Sequence, residues 1–271
     1  MLENISFGQY YPGNSFVHKL DPRFKITLTF GLLIVAFLAA NFVSLGLVTV
    51  ATVIIMLLSK IPVKMYLKTL KSIWFFVLLT AVINIFFITA TDQEPLISFW
   101  KINIYAQGLE KAGFIALRIF LLLIISSALT YTTTPTSLTD AIESLLKPLT
   151  KIGINTHTFA MMMTIALRFI PTLIEETQKI TNAQKARGAN MENGSLIQRV
   201  KVIIPILIPL LASSIRRATE LADAMECRCY HGGEGRTRLN VMKCSLSDVL
   251  SLVFFFLLTA FVILVNIFVK I

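Results

Sequence analysis

KITLTFGLLIVAFLAANFVSLGLVTVATVIIMLLS, residues 25–59, carries a single charged side chain, Lys25 at its first position. An α-helix needs about 20 mostly apolar residues to cross the hydrocarbon of a bilayer. The stretch is too long for one crossing and long enough for two short ones. Asn41–Ser44 supplies polar groups where a turn would fall. Residues 25–42 and 43–59 are therefore expected to form two spans in a tight hairpin. Three more stretches pass the same test, 73–90, 110–132 and 247–269.

Composition agrees with this reading. The 271 residues are 55% apolar and 15% charged, against about 45–50% and about 25% in soluble domains. Mean hydropathy is +0.75. An ordinary soluble enzyme, a disordered chain and a secreted disulfide scaffold are all poor matches. Three cysteines give no bridge framework, and Cys227 and Cys229 are too close for an easy one. The N-terminus lacks the basic, apolar and small-residue order of a cleaved signal, so the first span is expected to stay in the membrane.

The formal charge of +10 would suggest nucleic acid in a soluble protein. In a membrane protein it reports cytoplasmic loops, so no nucleic-acid partner is expected. Lys19 and Arg23 precede the first span. Lys60, Lys64, Lys68 and Lys71 precede the third, on one helical face suited to a phospholipid surface. The 91–107 loop has only Lys101, whereas 131–245 has 14 Lys and Arg. The positive-inside rule then places the N-terminus, 60–72 and 131–245 in the cytoplasm. Reading 25–59 as one re-entrant unit would invert the rest.

The expected architecture is an all-α membrane protein. A cytoplasmic segment covers 1–24. Four transmembrane helices cover 25–132, with a basic interfacial segment at 60–72. A cytoplasmic helical domain covers 133–246, and the last span covers 247–271. The inserted domain is too long to be a bare loop. Helices are expected at 136–147, capped by Thr136 or Ser137, at 156–186, kinked by Pro171, and at 195–228, bent by Pro205 and Pro209. Residues 159–167, interrupted only by Thr164, and 202–212 are apolar runs. Each is too short to span and too apolar for a solvated helix. Contact with a partner or with lipid is the reading favoured over mutual burial.

Both long helices end on an arginine flanked by small residues, Ala186-Arg187-Gly188 and Cys227-Arg228-Cys229. Arginine in a last helical turn complements the negative end of the helix dipole. Small neighbours leave its guanidinium free to meet a carboxylate bidentately in a groove. Dipole compensation alone would explain one such end; two suggest a repeated docking element.

The chain resembles the transmembrane scaffold, or T component, of energy-coupling factor (ECF) vitamin transporters. The resemblance rests on Leu20-Asp21-Pro22-Arg23-Phe24-Lys25, on Ala186-Arg187-Gly188, on Glu226-Cys227-Arg228-Cys229-Tyr230 and on Gly232-Gly233-Glu234-Gly235-Arg236-Thr237-Arg238. The second docking motif departs from Ala-Arg-Gly by having Cys on both sides. The resemblance implies a non-catalytic, multi-pass subunit of a bacterial cell membrane. Two ABC-type ATPases, which bind the ATP and Mg, would dock at Arg187 and Arg228. A small membrane S component, which captures the vitamin or similar micronutrient, would rest on apolar residues such as Phe159, Met163, Ile204, Ile208 and Leu211. This chain itself would carry no cofactor.

Other chemistry is less well supported. The 232–237 stretch lacks the Gly-Lys-Ser/Thr ending of a nucleotide-binding loop. The alternative is a membrane-anchored scaffold or enzyme unrelated to ATPases, to which Cys227, Cys229, His231 and Cys244 could add a Cys/His site, since they are soft donors that Zn²⁺ accepts; no metal is expected. Glu175 and Glu176 point about 100° apart on a helix and read as a solvated face. Arg118 sits inside the fourth span, where it must snorkel, pair with a carbonyl or line an interface. Ala36/Ala40 and Ser126/Thr130 are small pairs suited to close helix packing.

Overall fold

Asp21-Pro22 starts the first long helix. The Asp21 carboxylate accepts the Arg23 N–H at 2.9 Å, and Pro22, with no N–H to lose, takes the first helical position. The computed structural model describes residues 10–87, 97–99, 102–148, 153, 156–189, 196–232 and 244–269. After a one-turn α1 (Phe16–Lys19) come α2 (Pro22–Leu38), α3 (Phe42–Ser59) and α4 (Val63–Phe87). A short antiparallel ribbon pairs β1 (Ile97–Phe99) with β2 (Ile102–Ile104). The rest is helical: α5 (Ala106–Thr132), α6 (Pro135–Leu146), α7 (Thr156–Ala186), α8 (Leu196–Glu226) and α9 (Leu246–Phe268). The protein is an all-α membrane protein, and the ribbon is the only strand pairing among the described residues.

Five described helices are long and apolar enough to cross a membrane: α3, α4, α5, α7 and α9. Two details differ from the sequence expectation. α2 has 17 residues, at the lower limit for a crossing. α7 qualifies by length and composition because Phe169, Ile170, Leu173 and Ile174 extend its apolar run before the first acid, Glu175. The basic segment and the third span are one uninterrupted helix, α4, with Lys64, Lys68 and Lys71 exposed along its first turns.

The chain divides into two compact units. Among the described residues, one holds 10–134 with 244–269 and the other holds 135–232. The core of the first comes from Leu32, Val35 and Ala36 of α2, Leu45 and Val48 of α3, Leu121 and Ile125 of α5, and Val262 of α9. A Cβ at Gly31 would come within 2.4 Å of the Phe255 ring, so this glycine lets α9 lie close on α2.

The helix pairings correct some local expectations. The first turn lies at Ala39–Asn41 rather than Asn41–Ser44. Ser44 is inside α3, and its hydroxyl accepts the Asn41 N–H at 3.1 Å in a capping box. Ala36 and Ala39 are both fully buried, whereas Ala40 lies past the helix end and is exposed, so Ala36 and Ala40 do not share a packed face. Ser126 and Thr130 are exposed and bond along their own helix. α6 starts at Pro135, which places Thr136 and Ser137 in its first turn rather than at its cap.

The N-terminal signature is the polar knot of the bundle. Asp248, 1% exposed, accepts the Asp21 N–H at 2.9 Å and the Ser245 N–H at 2.7 Å. Lys25 donates to the carbonyls of His18 and Thr132, each at 3.0 Å. The Asp248 and Asp21 carboxylates attract its ammonium. The starts of α2 and α9 and the end of α5 are thereby tied together.

Candidate functional site: the arginine ends of the α7–α8 pair

α7 and α8 end on the same backbone motif. At the end of α7, the Gly188 N–H donates to the Lys185 carbonyl and the Ala189 N–H to the Gln184 carbonyl, both at 3.0 Å. At the end of α8, the Cys229 N–H donates to the Glu226 carbonyl at 2.8 Å and the Tyr230 N–H to the Met225 carbonyl at 3.1 Å. Gly188 has φ +90° and Cys229 φ +56°. This is a Schellman cap in both cases, with Arg187 and Arg228 at the position just before the left-handed residue. Sequence reading found the arginines but not that Cys229 takes the glycine's conformational role.

Ala186, Arg187, Gly188, Cys227, Arg228 and Cys229 are all exposed. Among the described residues, neither arginine has an ion-pair partner. The two are not brought together. Glu176 of α7 pairs with Arg217 of α8, and Gln184, further along α7, reaches Pro205, earlier in α8. The helices therefore run antiparallel. Gln184 lies against Pro205, and the helical rise from Pro205 to Arg228 is about 35 Å at about 1.5 Å per residue. The two tips stand at opposite ends of the pair.

Two contacts that sequence reading missed hold these helices in register. Glu176 is half-buried and ion-paired, which corrects its expected solvated state; Glu175 alone is exposed. Pro209 has no N–H, so the Pro205 carbonyl loses its intrahelical partner. The Gln184 amide supplies one from α7 at 3.4 Å. A proline two turns into an apolar helix signals such a freed carbonyl; which side chain fills it is not readable locally. Ile165, Phe169, Leu173, Leu221 and Met225 line the apolar seam between the helices.

Other apolar residues of the pair are exposed. Phe159 and Met163 on α7 are exposed, as are Ile204, Ile208 and Leu211 on α8. Ile204, Ile208, Leu211 and Ile215 follow one another at four, three and four residues, so they form one ridge. Ile208 is 61% and Ile215 67% exposed.

Arg118 belongs to the other unit, in α5. It donates to the Ala39 carbonyl at the end of α2 and stacks over the Phe114 ring, 4.7 Å from its centroid. Its charge therefore sits at the negative end of the α2 dipole. Cys227, Cys229 and Cys244 are free and exposed. No cluster of three His, Cys, Asp or Glu able to hold a metal occurs among the described residues. Most of the 232–238 stretch lies outside the described residues.

Comparison with known proteins adds the last observation. Residues 13–239 match the family model described as CbiQ, cobalt transport protein. The chain is 51% identical over 251 residues to the energy-coupling factor transporter transmembrane protein EcfT of Clostridium kluyveri, covering 93% of each chain. It is 52% identical to the protein of that name from Ruminiclostridium cellulolyticum, over 92% of each. It is 42% identical to that of Streptococcus thermophilus, over 93% of this chain and 95% of the relative.

Proposed function

This chain belongs to the family of energy-coupling factor transporter transmembrane proteins, and from that premise we propose that it is the non-catalytic coupling subunit of an ATP-driven importer. It is the transmembrane component of such a transporter and a multi-pass membrane protein. In the proposed mechanism, two ABC-type ATPases hold ATP and Mg and dock one at each arginine tip. Arg187 and Arg228 enter grooves on them and meet carboxylates. Ala186, Gly188, Cys227 and Cys229 clear the approach. An S component that binds a vitamin or similar micronutrient lies on the ridge of Ile204, Ile208 and Leu211 and on Phe159 and Met163. Closing of the ATPases moves the tips, and the α7–α8 pair passes the motion to the S component. The unit 135–232 is cytoplasmic in this reading, as is the N-terminus.

One observation carries the proposal. The same cap presents, at each end of an antiparallel helix pair, an arginine with no ion-pair partner among the described residues, and an exposed apolar ridge runs along one helix. An exposed apolar ridge of this kind marks a contact with a partner or with lipid.

The test is affinity purification of the full chain from its host in mild detergent, with mass spectrometry of stoichiometric partners. Two ABC-type ATPases and a small apolar membrane protein are expected. Arg187→Glu and Arg228→Glu each weaken ATPase retention, and the double variant abolishes transport. A chain that purifies without an ATPase, or a double variant that transports like the parent, overturns the reading.

A further inference from the structure

The bundle contains a cavity of about 250 Å³ enclosed by α1, α2, α3, α5 and α9. Its floor is buried and made of Leu20, Leu32, Thr52, Ile125 and Ala128. Its rim is exposed and made of Phe16, Ile54, Leu58, Leu250 and Phe254. The rim therefore continues the outward faces of α3 and α9, both of which are long and apolar enough to span a bilayer.

The lining is predominantly apolar, and most of its polar groups already bond to backbone carbonyls. Thr52 donates to the Val48 carbonyl and Thr132 to that of Ala128, both at 2.7 Å. Ser251 donates to the Ser247 carbonyl at 2.8 Å. Lys25 is committed to the His18 and Thr132 carbonyls. Among the lining polar groups, only Thr29 has no such bond among the described residues. A bound water needs two to four polar partners, and only five of the 21 lining residues carry a polar side chain, spread over four helices. Hydrocarbon is the occupant that matches this surface.

The cavity also has a direction. Leu20, Leu58, Thr132 and Leu250 stand at or near helix ends, whereas Leu32 and Ile125 stand inside their helices. From Lys25 to Leu32 the rise along α2 is about 10 Å. The space thus runs inward from the level of the helix ends. At that level Lys19 closes α1 and Lys60 caps α3, which places cations where a phosphate would remain.

We propose that one acyl chain of a phospholipid enters this cavity lengthwise, with its headgroup phosphate left at the helix ends near Lys19 and Lys60. The site is independent of the docking tips and of the ridge on α8. A lipid held there fills space that α2, α3, α5 and α9 leave open, and so makes the packing of the bundle depend on the surrounding membrane.

The test uses the full chain in nanodiscs containing phosphatidylglycerol with a diazirine midway along one acyl chain. After illumination, adducts are mapped by peptide mass spectrometry. Adducts on Leu32, Thr52, Ile125 or Ala128 are expected beside those on exposed residues such as Phe75. Adducts confined to the exterior overturn the proposal. Labelling of the floor by the same diazirine chain as a free fatty acid, but not by the phospholipid, also overturns it. Ala128→Phe fills the cavity and is expected to lose the floor adducts while Phe75 labelling persists. Unchanged floor labelling in that variant counts against the site. The experiment on the unaltered chain decides the matter if Ala128→Phe does not fold.

Discussion

In the membrane bundle, Lys25, Asp248 and Arg118 each make hydrogen bonds to the backbone of another element. At the ends of the α7–α8 pair, Arg187 and Arg228 have no ion-pair partner among the described residues. Apolar groups show the reverse contrast. Leu32, Val35 and Ile125 are buried in the bundle, whereas Ile204, Ile208 and Leu211 on α8 are exposed. Charges that are bonded and buried serve the fold. Charges and apolar side chains left open beside one another require something outside the chain. The contrast separates residues whose loss should cost stability from those whose loss should cost assembly.

The largest expected effect is in the bundle. Asp248→Ala removes the acceptor for the Asp21 and Ser245 N–H groups and leaves the Lys25 ammonium without its main counter-charge. Leaving a buried donor without an acceptor costs about 1–3 kcal/mol, and here two N–H groups lose theirs at once. Thermal unfolding in detergent should show a large loss for this variant and a much smaller one, from the helix dipole alone, for Arg187→Glu or Arg228→Glu. A loss of stability at the arginine tips equal to that at Asp248 would erase the distinction between the two regions.

The next effect is on the ridge. Ile208→Asp places a carboxylate at the centre of the proposed S-component contact, where central residues are worth at least about 2 kcal/mol of binding. Co-purification should lose the small membrane protein and keep both ATPases, with unchanged unfolding. Loss of all partners together would mean that the helix pair itself had failed.

Arg118 tests the bundle side of the contrast with a smaller change. Arg118→Met keeps an unbranched apolar stem and removes the donor to the Ala39 carbonyl. A hydrogen bond from a charged group is worth about 1.5–3 kcal/mol. The Arg118 Nε is buried without a partner, and removing it returns part of that. A net loss of about 1 kcal/mol is expected in thermal unfolding, with partner retention intact. Loss of transport in a protein of normal stability would move Arg118 from the structural class to the functional one.

How much of this was legible in the sequence depends on the range of the interactions. α7 starts at Thr156 and ends before Gly188 because its stop signal is local, and the sequence carries it. The arginine tips were legible for the same reason. The turn after α2 was misplaced by a few residues because Asn41 and Ser44 look alike as loop formers. Their reciprocal bonds, which make one a cap and the other helical, depend on the path of the chain. Ala36 was recognised as a packing residue, but Ala40 was assigned to the same face without the knowledge that α2 ends at Leu38. The partners of Arg118, Glu176 and Gln184 lie 79, 41 and 21 residues away, and no local pattern specifies them. The cavity in the bundle is a gap between five elements, so no single stretch of sequence could announce it.

The smallest effect compares the two tips directly. Gly188 adopts its left-handed conformation without penalty, whereas Cys229 holds the equivalent one with a Cβ, at a cost of about 1–2 kcal/mol. Gly188→Ala should therefore weaken the end of α7 by about 1 kcal/mol. Cys229→Gly should strengthen the end of α8 by less, because glycine also gains freedom in the unfolded chain. Hydrogen exchange at the Cys229 and Tyr230 amides reads that gain locally, where a global melting curve would miss it. ATPase retention by the same variant then decides why a cysteine stands there. Slower exchange with weaker ATPase binding would show that the Cys229 side chain contributes to docking beside Arg228 and is kept despite its strain. Slower exchange with unchanged binding would reduce Cys229 to a tolerated substitute for glycine, and the two tips would be equivalent in everything but the cost of their caps.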